Sequence, residues 1–119
     1  TSLQCVGFVQ AIEAAQGRTL PGCGESAKDW ANPNCYTGQA HYQFLGDNCS
    51  QVNAGTIAVF TGGTDGHIGI ITKRIESETG GETRFRFVSA IGNPGSLEGG
   101  RITIVEYFCD SFDAFIQPK

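Results

Sequence analysis

Apolar residues recur at Cys5, Phe8, Val9, Ile12 and Ala15, the i, i+3, i+4, i+7 spacing of a helix with one buried face. Ser2 is a capping residue type before this run and Gly17 stands after it, so the pattern predicts a helix with Cys5 in its first turn. Pro21, Gly22 and Gly24 mark residues 17–25 as loop, and Ser26 caps a short predicted helix ending at Ala31. Residues 32–55 are rich in Asn, Gly and polar groups; irregular structure is expected there, anchored by Tyr36, Tyr42 and Phe44. From Thr56 the period changes. Thr56–Phe60 and His67–Ile75 read as two strands of a hairpin, joined by the Gly-rich connector 61–66. A second turn covers Glu76–Glu82, whose acidic residues read as a solvated hairpin tip. Thr83–Ser89 then alternates, with Phe85, Phe87 and Ser89 on one face and Arg84, Arg86 and Val88 on the other. Asn93-Pro94-Gly95 breaks the chain before a last predicted strand, Arg101–Phe108. Helices first and an antiparallel sheet later make an α+β domain, with N-terminal helices packed on the sheet.

Composition narrows the reading. A chain of 119 residues is expected to form one domain, residues 1–119, and its 39% apolar content is that of a globular core. No apolar run approaches the roughly 18–20 residues of a membrane span, so no membrane partner is expected. The net charge is −4 and the basic residues do not cluster, which argues against nucleic acid as partner. The chain lacks an initiator Met and a signal-peptide core, so it is expected to be a mature form or an excised domain.

Five cysteines, Cys5, Cys23, Cys35, Cys49 and Cys109, are many for this length. Four can pair, in three ways, leaving one free thiol. Placement in loops favours Cys23–Cys35 and Cys49–Cys109. Disulfides imply an oxidising compartment, hence a secreted or periplasmic protein. No Cys-x-x-Cys or Cys/His cluster has the spacing of a metal site, so neither a metal nor another cofactor is expected.

The candidate chemistry lies in Cys5 and His67. A thiolate is the reactive form of cysteine, and the N–H groups of a helix N-terminus stabilise it. An imidazole beside it takes the thiol proton and delivers it to a leaving group. Taken singly, Cys5 reads as a small buried apolar residue and His67 as a strand-end surface residue; their pairing favours catalysis. His41 and Trp30 read as surface or groove and as core, and Asn48-Cys49-Ser50 as a chance sequon.

Several segments resemble the NlpC/P60 and CHAP superfamily of papain-like cysteine peptidases and amidases. These are Gln4-Cys5-Val6-Gly7-Phe8-Val9, Ser26-Ala27-Lys28-Asp29-Trp30-Ala31, Ala54-Gly55-Thr56-Ile57-Ala58-Val59-Phe60 and Gly66-His67-Ile68-Gly69-Ile70-Ile71, in family order across residues 4 to 75. The first is also similar to amidase effectors delivered by type VI secretion. The resemblance implies a papain-like fold and hydrolysis of peptidoglycan peptides, by a lytic domain or by an antibacterial effector with an immunity protein as partner. It makes Cys5 the nucleophile, His67 the base, and the Cys5 N–H an oxyanion donor, with the Gln4 side chain as a second. The family orients its histidine with a polar group from the next strand, where CHAP domains tend to carry Glu after Val-Ser. Here Ala90 stands there, and Ser89, Asn93 or a backbone carbonyl remain for that role. Two other readings stand beside this one: a thiol hydrolase or acyltransferase acting away from the wall, and a non-catalytic binding module braced by disulfides.

Overall fold

The computed structural model describes residues 4–91 and 101–119, apart from the side chain of Gln4. The first apolar period folds as α1, Gln4–Ala15. Gly17, at φ 79°, ends it in a left-handed turn. The Arg18 N–H reaches the Glu13 carbonyl at 2.9 Å and the Gly17 N–H reaches Ala14 at 3.0 Å, satisfying carbonyls that the last turn leaves open. The predicted cap Ser2 and the residue Asn93 lie outside the described residues.

The sheet has six strands: β1 (Tyr42–Gly46), β2 (Ile57–Phe60), β3 (His67–Ile75), β4 (Arg84–Ile91), β5 (Arg101–Phe108) and β6 (Ala114–Pro118). Their order is β1-β6-β2-β3-β4-β5, with every neighbouring pair antiparallel. The hairpins β2–β3, β3–β4 and β4–β5 follow the chain. β6 instead returns across the sheet to slot between β1 and β2.

α1 packs on the face carrying Ile57, Val59, Ile68, Ile70 and Ile116 through Val6 and Val9, with Trp30 and Tyr42 filling the same layer. Phe85, Phe87, Phe112 and Phe115 form a second cluster with Ala58 and Ile71 on the opposite face. These two layers and the antiparallel sheet give the α+β architecture expected from the pattern, consistent with the papain-like fold that the resemblance implies.

Three local expectations change. The 26–31 segment is a 3-10 helix, Ala27–Ala31, too short before Asn32-Pro33 to build α-helical turns. Residues 32–55 contain β1, and the C-terminus contains β6, a strand not anticipated. β4 continues to Ile91, so Ser89 lies within the strand and not at its end.

Both favoured disulfides form, Cys23–Cys35 and Cys49–Cys109, and Cys5 is the free thiol. No described helix is long and apolar enough to cross a membrane.

Candidate active site

Two constraints aim α1 at the start of β3. At its far end Glu13 is buried and accepts hydrogen bonds from Arg18 Nε and the Tyr42 hydroxyl, both at 2.9 Å, which ties the helix to β1. A buried carboxylate tolerates its site only when paired and hydrogen-bonded in this way. At the near end Cys5 is 5% exposed and packs into the helix-side core.

The register of the sheet explains what meets the sulfur. Val59 directs its carbonyl to the Asp113 N–H on the β6 side, at 3.0 Å. Ile68, opposite Val59 in β3, therefore turns its own N–H toward β4. The registered β3–β4 pairs begin at Ile70↔Val88, two residues further along. The Ile68 N–H and those of Val6 and Cys5 itself are near enough to favour the thiolate of Cys5.

His67 precedes Ile68, and its position is fixed from behind. Gly66, at φ 71°, holds a conformation that side chains rarely adopt, and a Cβ there would run into the Phe60 carbonyl and the Lys28 backbone. The 3-10 segment docks on the same turn: the Lys28 N–H donates to the Asp65 carbonyl at 2.9 Å, and the Ser26 hydroxyl to Asp65 Oδ1 at 3.0 Å. The imidazole leaves β3 on the face of Phe60, edge-on to Phe87 with centroids 5.7 Å apart. Its Nε2 lies 2.7 Å from Ser89 Oγ, and Ser89 Oγ lies 3.3 Å from Thr103 Oγ1 on β5.

The thiol lies on the helix side near Ile68, and the imidazole leaves the neighbouring residue toward Phe87 on the opposite face. Among the described residues no hydrogen bond joins the sulfur to the ring. Catalytic contacts in a resting enzyme are often long and close only around substrate.

Burial pushes the Cys5 thiol above its ordinary value. The Ile68, Val6 and Cys5 N–H groups pull it down, and the Asp65 carboxylate adds to the rise. Burial also pushes the His67 imidazole below its ordinary value. Both groups are therefore biased to their neutral forms.

Of the expected site residues, His67 and Ser89 meet through their side chains, and Cys5 lies on the helix side near the Ile68 N–H. Gln4 opens α1, but its side chain lies outside the described residues, as does Asn93. His41 lies apart, its carbonyl bonded to the Lys119 N–H at 2.7 Å. Trp30 is core, its indole N–H donating to the Gly24 carbonyl at 3.1 Å. Ile68 and Thr103 escape sequence reading: the one acts through its backbone, the other through a cross-strand pairing that no motif marks. Among the described residues, no group of three or more His, Cys, Asp or Glu is placed to hold a metal ion.

A free cysteine on the first helix and a histidine on a strand of the antiparallel sheet are two parts that the papain-like thiol hydrolases share. The family model for the CHAP domain matches residues 1–90, and the chain belongs to the CHAP family, within the NlpC/P60-like group of cysteine peptidases and amidases. Membership points to amidase or peptidase activity on peptidoglycan. No curated protein matches the chain. The two disulfides point to an oxidising compartment, extracellular or periplasmic.

Proposed function

We propose that the protein is a secreted cysteine amidase or endopeptidase that cuts amide bonds in the peptides of bacterial peptidoglycan, with residues 1–119 forming one catalytic domain. What supports this reading is a free thiol, Cys5 on α1, within reach of the Ile68 N–H, and a histidine one residue earlier on β3 that is held by Ser89.

The chemistry follows from which nitrogen is free. Nε2 of His67 is engaged by Ser89, which leaves Nδ1 to serve the sulfur. As Cys5 Sγ attacks the amide carbon, its proton passes to Nδ1, and the carbonyl electrons move to oxygen. The Cys5 backbone N–H, at the helix start, stabilises that oxyanion; one such donor is worth about 3 kcal/mol of barrier. The C–N bond then breaks, the amine leaves with the proton from Nδ1, and a thioester remains. Water attacks the thioester, giving its proton to Nδ1, and the sulfur departs to regain it. Ser89 is 1% exposed, so it serves as a partner of the ring and not as a nucleophile.

Whether the protein lyses walls for its own cell or is delivered against competitors decides its partners. An effector demands an inhibitory immunity protein in the producing cell.

The test is incubation of purified sacculi with the wild type and with Cys5→Ala. The wild type is expected to release soluble peptides whose masses identify the cut bond, and the variant to release none. Equal release by the two would end the proposal.

A further inference from the structure

The hydroxyl of Ser89 sits between two partners, and it has one proton to give. His67 Nε2 is 2.7 Å away and Thr103 Oγ1 3.3 Å away, Ser89 and Thr103 being directly opposed in the β4–β5 register. At 1% exposure, Ser89 is shielded from bulk water that would otherwise take the proton. Where that proton points decides where the ring carries its own. If Ser89 donates to Nε2, the neutral imidazole holds its hydrogen on Nδ1 and has no lone pair for the thiol. If Ser89 donates to Thr103, Nε2–H donates to Ser89 and Nδ1 is open.

We propose that Thr103 is a positioning residue that turns the Ser89 hydroxyl away from the ring and so selects the Nε2–H tautomer of His67. The inference rests on the reading of His67 as the base for Cys5. Thr103 touches neither substrate nor sulfur and acts only through Ser89. The need for it grows during turnover. Once Nδ1 has taken the thiol proton, both ring nitrogens are donors, Ser89 must accept, and its own proton must have somewhere to go. The Ser89–Thr103 contact is long for a hydroxyl pair. A charged ring polarises the chain, making Ser89 the stronger donor onward and tightening that contact. The pair thus orients the base without a carboxylate: among the described residues the side-chain partner of the imidazole is a hydroxyl, and that hydroxyl's onward partner is another.

The test compares Thr103→Val and Thr103→Ser in the full chain, reading the His67 tautomer by long-range proton–nitrogen-15 NMR above the ring's titration. Wild type and Thr103→Ser are expected to show the Nε2–H form, and Thr103→Val a shift toward Nδ1–H. On sacculi, kcat is expected to fall about tenfold to a hundredfold in Thr103→Val with KM unchanged, and to recover in Thr103→Ser. Should the valine variant not fold, Thr103→Ala makes the same deletion in a smaller side chain and is read in the same way. A tautomer unchanged by loss of the Thr103 hydroxyl overturns the inference. That result is separate from the Cys5→Ala assay, which bears on the hydrolase itself and not on the ring's proton.

Discussion

Burial acts on the proposed Cys5–His67 dyad in one direction. It raises the thiol and lowers the imidazole, and so favours thiol and neutral ring over thiolate and imidazolium. The proton then moves as the sulfur attacks. Iodoacetamide labelling of Cys5 is accordingly expected to climb continuously as pH rises from 6 through 9, because the reactive thiolate appears only above a raised pKa. A rate flat down to about pH 5 would mark a preformed ion pair and overturn this. Ser89→Ala removes the one side chain hydrogen-bonded to the ring among the described residues. Freed to rotate, the base is expected to lose about tenfold to a hundredfold in kcat with the fold intact, measured as peptide release against a circular-dichroism control. Unchanged release by Ser89→Ala would remove Ser89 from the proposed machinery.

At the scale of elements, the turn before β3 matters most. Gly66 combines a left-handed backbone with a backbone neighbour too near for a Cβ, so Gly66→Ala must strain the turn or push it off the 3-10 segment. A cost of about 1–3 kcal/mol is expected, together with loss of activity as His67 shifts. Denaturant titration and sacculus release read the two effects, and a variant with wild-type stability and release would show the turn to be adaptable.

These same elements explain what the chain discloses in advance. α1 and the β2–β3–β4 hairpins announce themselves through local period, and Cys5 and His67 fall on them. β1 and β6 do not. Tyr42–Gly46 is short and set among Asn and Gly, while Ala114–Pro118 becomes a strand only by inserting between two partners distant in sequence. Ser89 was legible as sharing a face with Phe85 and Phe87. Its grip on His67 and on Thr103 was not, since both depend on which residues stand beside it in neighbouring strands.

Across the whole molecule, two cross-links brace the layers. Cys23–Cys35 spans 12 positions beside Trp30, and Cys49–Cys109 spans 60, tying the segment before β2 to the one before β6. Loop-closure entropy makes the longer bridge worth about 4 kcal/mol and the shorter about 3. Unfolding of the double variants Cys49→Ala/Cys109→Ala and Cys23→Ala/Cys35→Ala is expected to rank them in that order. The reverse order would show that strain in the native state outweighs the chain term.

The odd sulfur has a consequence for how the protein matures. While α1 is undocked, Cys5 is a fifth competitor for wrong pairings with the four others; once docked, its 5% exposure slows its exchange with bulky disulfide partners. Helix docking therefore doubles as protection against scrambling. Oxidative refolding of Cys5→Ser is expected to give a higher yield of correctly bridged chain by peptide mapping, and an equal yield would mean the helix docks before any bridge closes.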